Sequence, residues 1–265
     1  MNIFLHELKA YRKSTIIWSI SLVLIIALFM SLYSSIAKDA EGFLKILENY
    51  PAAIRNAIGF IQGNFFTILG FYSFPLSFIT LCAGIQAMNL GTSIVSKEVR
   101  EKTADFLLTK PVTRSQILTA KLMGAFVSLV ITNIIYFAAA SFLAFQVKTD
   151  DFSMKIFFLL SLTVFFIQLI FLALGIIISV IVPKIKSVLT VSLSTVFAFY
   201  FLGIFSDTTG EEVKRYISPF KYFDTAYIIK HAGYEASFLL AGAVIIFLAI
   251  MASFVVYSKK DIHAV

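Results

Sequence analysis

Residues 96–121 read SKEVREKTADFLLTKPVTRSQILTAK and stand apart from everything around them. This island holds six of the chain's 22 Lys and Arg residues and three of its 15 Asp and Glu residues. On either side charge disappears. The 41 residues between Arg55 and Lys97 and the 26 between Lys121 and Lys148 contain no Asp, Glu, Lys or Arg. Crossing a hydrocarbon core about 30 Å thick takes about 20 apolar residues in a helix. Both flanks meet that length, so the island is a water-exposed connection between two membrane spans.

The composition agrees. The chain is 59% hydrophobic with 29 Phe and a mean hydropathy of +0.91. It is only 14% charged, against about 25% in soluble domains. So oily a chain cannot hide its apolar surface in a soluble core of this size. Cys82 is the one cysteine and lies in an apolar run, so no disulfide framework exists. The first apolar run, 14–37, has no clear cleavage site after it and reads as an uncleaved span.

The expected fold is therefore an all-α integral membrane protein of six transmembrane helices. Residues 1–14, MNIFLHELKAYRKS, place Phe4, Leu5 and Leu8 near one another with Lys9, Arg12 and Lys13 behind. That pattern predicts an interfacial amphipathic elbow helix. Span 1 is expected at 15–36, an external connection at 37–64 and span 2 at 65–90. The coupling region at 96–121 precedes span 3 at 122–146 and span 4 at 156–181. Span 5 is expected at 187–205, an external loop at 206–235 and span 6 at 236–257.

Charge sets the orientation. With the N-terminus inside, the cytoplasmic segments hold 13 basic and five acidic residues, and the external segments nine basic and ten acidic. Short loops follow the positive-inside bias, which predicts that both termini and the island face the cytoplasm. The chain's net charge of +7 thus reflects topology, and no nucleic-acid partner is implied.

Much chemistry is missing from the sequence. His6, His231 and His263 are far apart, and no metal-ligand spacing or glycine-rich phosphate loop occurs. The expected span interiors contain no Asp, Glu, Lys, Arg or His, whereas proton relays and ion-coupled carriers usually place such a group within the bilayer. The chain is not expected to be an enzyme or to bind a cofactor. If it moves anything uphill, the energy arrives from outside.

The island has its own grammar. Glu98 and Lys102 form a favourable i,i+4 pair, while Glu101 and Asp105 repel unless something basic answers them. Phe106, Leu107 and Leu108 are apolar, and Pro111 breaks the helix. Thr113 is placed to cap a following helix, with Gln116 at the capping-box position. The result is a helix-turn-helix whose apolar cluster suits docking of a soluble partner better than a mere linker.

These residues carry a resemblance. The island's E, then KT, then a hydrophobic pair, then P-x-x-R and a closing K, with HELKAYRKS before span 1 and YPAAIRNAIGF before span 2, resembles permease subunits of ABC-2 type transporters. The resemblance covers the whole chain in span number, loop lengths and orientation. It implies a separate cassette ATPase in two copies, carrying ATP and Mg, with a second permease copy or a sister permease as homo- or heterodimer. It also implies a multi-pass protein of a bacterial or archaeal cytoplasmic membrane that exports a peptide, antibiotic or lipid-like compound. Carried over by residue, Glu98, Glu101, Lys102 and Thr103 would approach the ATPase. Leu107, Leu108, Pro111 and Arg114 would shape the coupling region, and Lys121 would anchor the start of span 3. The chain departs from larger members in having no big external domain.

Two other classes remain open from the residues alone. A stand-alone ion-coupled carrier or channel would transport without an ATPase. A membrane immunity or scaffold protein would sequester a toxic peptide and survive loss of ATPase activity.

Overall fold

A computed structural model describes residues 3–38, 49, 67–101, 112–148, 151–182, 184–209 and 212–259. Among these, helix is the only regular structure. Six helices are long and apolar enough to cross a membrane. They are α1 (Ile3–Lys38), α2 (Ile68–Glu101), α3 (Arg114–Val147), α4 (Met154–Ile181), α5 (Val188–Thr209) and α6 (Ala236–Lys259). In lipid each backbone N–H and C=O must be paired within its own segment, which is why charge-free runs of this length become helices.

The helices form two close parallel pairs. In the first, Glu7, Thr15 and Ser19 of α1 meet Lys121, Ser128 and Thr132 of α3 in the same order. In the second, Tyr72 of α2 meets Ser161 of α4, and further along Gly91 meets Gly175. The pairs run antiparallel to each other, since Tyr72 contacts Tyr136 while Ile94 contacts Lys121. The end of the bundle where α1 and α3 start and α2 finishes is the basal end.

α2 and α4 are the core, with 67% and 61% of their most apolar windows buried, against 28% for α1 and α3 and 11% for α6. The outward faces carry Ile17, Leu24 and Leu28 on α1, Ile134 and Phe142 on α3, and Leu240, Phe247 and Leu248 on α6. Single exposed apolar residues in stripes of this kind suit acyl chains as solvent. Lipid gives helices no hydrophobic reason to associate, so small residues that admit close backbones must do so. Gly91 and Gly175 provide this between α2 and α4: a Cβ on Gly175 would lie 2.8 Å from Met88 O and Thr92 N.

Two stretches differ from the sequence reading. Residues 3–14 do not form a separate elbow; they continue without a break into the span as the first turns of α1. Their polar residues do not stop the helix because Glu7 and Tyr11 are buried against α3 near Gly124.

Of the external loop expected at 206–235, residues 206–209 belong to α5 and residues 212–235 are folded, with Ser218, Pro219, Tyr222, Phe223 and Ile228 buried. Two 3₁₀ turns (Glu212–Ile217 and Pro219–Lys221) and a short helix (Thr225–His231) lead into α6. Phe220 lies against Phe171 and Tyr200, and Phe223 against Phe166 and Tyr234. Irregular backbone among membrane helices is tolerated where protein satisfies it. Ser218 Oγ donates to Phe199 O at 2.7 Å, and Arg215 Nη2 donates to Lys221 O at 3.2 Å.

Candidate functional site

Three groups of polar side chains lie inside the bundle, and each ties one helix pair to the other. The first is a closed ring at mid-bundle. Gln86 Nε2 of α2 donates to Thr132 Oγ1 of α3 at 3.0 Å, and Gln168 Nε2 of α4 donates to Gln86 Oε1 at 3.0 Å. Asn133 Nδ2, next to Thr132 on α3, closes the ring on Gln168 Oε1 at 2.5 Å. Thr132 in turn accepts from Ser19 of α1 at 3.4 Å, and Ser128 pairs with Thr15 one turn below. The ring thus joins all four inner helices.

The second group lies towards the other end. Tyr72 Oη meets Tyr136 Oη at 2.5 Å and Ser161 Oγ at 2.8 Å, all three buried. The phenols' bulk packs like any core aromatic while each hydroxyl finds a partner.

The third group is at the basal end. Lys121 Nζ lies 3.3 Å from Glu7 Oε1 and donates to Ile94 O at 3.0 Å, so one ammonium touches α1 and α2 from α3. Lys121 is 3% exposed. The expected membrane-surface anchor therefore stands within the chain's interior, where it holds three helices together.

A common pattern emerges across the seam. Close backbone approach at Gly91 and Gly175 is confined to the α2–α4 pair; between the pairs, the contacts at Tyr72–Tyr136, Gln86–Thr132, Asn133–Gln168 and Lys121–Ile94 are hydrogen bonds. An interhelical bond of this kind in a membrane is worth about 0.6 kcal/mol on average. A few such bonds hold a seam in register yet can be exchanged for water or for other partners, which close-packed backbones cannot.

The remaining island residues divide by what the structure describes. Lys102, Thr103, Leu107, Leu108 and Pro111 lie outside the described residues. Glu98 and Glu101 fall on the last turns of α2, which runs as helix to Glu101. Arg114 opens α3 and its Nη1 donates to Tyr257 O of α6 at 3.4 Å. Thr113 caps α3 as its spacing predicts: its hydroxyl accepts from Gln116 N at 3.2 Å, and Thr113 N donates to Gln116 Oε1 at 3.0 Å.

Sequence reasoning passed over the ring. Its signal was present, since Gln168 is the one amide in α4 and a side-chain amide in hydrocarbon is expensive unless paired. The partners could not be read, because they come from helices 35 to 82 residues distant.

Helix number and the pairing of the inner helices set the frame for comparison with known proteins. The model of the ABC-2 family transporter proteins matches residues 1–262. The chain belongs to this family. It is a multi-pass membrane protein and the membrane component of an ABC transporter. The comparison with curated proteins finds no match.

Proposed function

We propose that this ABC-2 protein is the permease subunit of an ATP-driven exporter. Hydrolysis takes place on a separate cassette ATPase, which carries the ATP and Mg, and the permease turns the resulting movement into export of an amphipathic or hydrophobic compound. Two ATPases and two permeases, as a homodimer or with a sister chain, make the working unit. Both termini and residues 96–121 face the cytoplasm, in line with the bias of basic charge.

One observation carries the coupling role. α2 continues as helix to Glu101 and α3 begins at Arg114, so both ends of the island lie on long helices that reach the middle of the bundle. A push on residues 102–113 has no slack helix end to dissipate in. Glu98, Glu101, Lys102 and Thr103 belong to the part that meets the ATPase, Leu107, Leu108, Pro111 and Arg114 shape the coupling region, and Lys121 anchors the start of α3.

Purification with a cassette ATPase encoded beside the gene, followed by hydrolysis assays in lipid with peptides, lipids and drugs, tests this reading. Charge reversal at Glu101 is expected to weaken co-purification or uncouple hydrolysis. Transport by the purified chain in liposomes without any ATPase would favour a stand-alone carrier or channel. Protection of cells from a toxic peptide that survives loss of ATPase activity would favour an immunity role.

A further inference from the structure

Glu7 and Lys121 are the buried charged residues among the described residues. A pair of this kind is a poor way to stabilise a fold. Desolvation costs each ion several kcal/mol, and apolar replacement of both partners is often neutral or stabilising. Its geometry suggests another use. Lys121 lies seven residues into α3, and Ile94 lies seven residues before the end of α2. At about 1.5 Å of rise per residue, both stand about 10 Å from where their helices leave for the island. At this level Lys121 grips the backbone of α2 and the carboxylate of α1 together. Gly124, three residues along α3, brings α1 this close, because a Cβ there would lie 3.2 Å from Glu7 Cβ.

We infer that Glu7 and Lys121 are positioning residues for energy coupling: they make α1 follow α2 and α3 when the island is moved. The inference rests on the coupling reading above. Beyond the pair, α1 meets α3 at Thr15–Ser128, Ser19–Thr132 and Gly124, all uncharged contacts. With the pair, an ionic contact directed at one point fixes the register of three helices beside the segment that receives force. Setting register is the best-attested use of a buried polar or ionic group that adds little stability.

The test uses the complex with its cassette ATPase in lipid nanodiscs, in a Cys82→Ala background. Spin labels at Ala10→Cys on α1 and Thr119→Cys on α3 report their separation by dipolar electron spin resonance, without nucleotide and with Mg·ATP and vanadate. The unmodified pair is expected to give the same distance distribution in both states, because α1 follows α3. The double variant E7M/K121M is expected to keep its melting temperature and its complex but to show a nucleotide-dependent shift, while K121R behaves as the unmodified chain does. If E7M/K121M does not fold, E7Q replaces it, because an amide oxygen still accepts from Lys121 but carries no charge; the shift is again expected. A distribution that stays the same in both states in the variant overturns the inference alone. Failure of the unmodified chain to form a complex overturns the coupling reading, and the inference with it.

Discussion

Gly91 of α2 and Gly175 of α4 face each other with no room for a side chain on either. A Cβ on Gly91 would collide with Leu172 O and lie 3.0 Å from Gly175 Cα, and one on Gly175 would lie 3.0 Å from Gly91 Cα. Two backbones in contact make α2 and α4 one rigid body. On the proposed coupling, α2 leads into the island and this body receives the force.

Gly91→Ala and Gly175→Ala are therefore expected to destabilise the protein by about 1–3 kcal/mol each, the usual cost of overpacking. Thermal unfolding in detergent checks this. Gly233→Ala is the control, because the nearest atom to its Cβ, His231 O, is 3.9 Å away, and no change in melting temperature is expected.

The mid-bundle ring should behave as a unit. Gln168→Leu removes the donor to Gln86 and the acceptor from Asn133, leaving polar atoms unpaired at a cost of about 1–3 kcal/mol. Adding Gln86→Leu should cost less than the sum of the two single changes, since the first has already broken their shared bond. A double-mutant cycle on unfolding free energy measures the difference. Strict additivity would mean that the ring is not a connected network.

Arg215 organises the folded stretch before α6. It pairs with Glu235 through Nη2 at 2.6 Å, donates to Lys221 O and lies 4.1 Å from the centroid of the Phe238 ring. Only a planar guanidinium serves all three at once. Arg215→Ala is expected to raise hydrogen exchange markedly across residues 216–223, and Arg215→Lys to raise it almost as much. Exchange in α2 should be unchanged in both.

The contact between Lys148 and Asp151 offers a pH prediction. The Lys148 ammonium, hydrogen-bonded to Asp151 at 2.6 Å, holds that carboxyl below its ordinary value. A depressed carboxyl contributes above its unfolded pKa, and the contribution fades as pH falls through the folded value. Asp151 is 96% exposed, where ion pairs are worth little. Asp151→Asn should therefore leave the melting temperature unchanged at neutral pH.

The fold class was legible because charge-free length is a property of the chain alone, and the capping box at Thr113 and Gln116 was legible because its partners lie three residues apart. The other features depend on distant partners. Lys121 looked like an interfacial anchor because nothing near it in sequence shows that Glu7 will neutralise it. Residues 212–235 looked like loop because their polar count hides the aromatic wedge of Phe220, Tyr222 and Phe223, whose receiving rings Phe171, Phe238 and Phe166 lie on α4 and α6. Glycine pairing was equally hidden, since Gly91 alone resembles any membrane glycine until Gly175 is set against it.

The central claim is that this permease is driven by hydrolysis on another chain through residues 96–121. The most direct measurement is ATP hydrolysis in nanodiscs by the permease alone, the cassette ATPase alone, their complex, and the complex bearing Glu101→Lys. The account predicts no hydrolysis by the permease alone, a rate for the complex that differs from that of the free ATPase, and loss of this difference in Glu101→Lys. A rate unchanged by the permease, or a variant that behaves as the unmodified complex does, would contradict it.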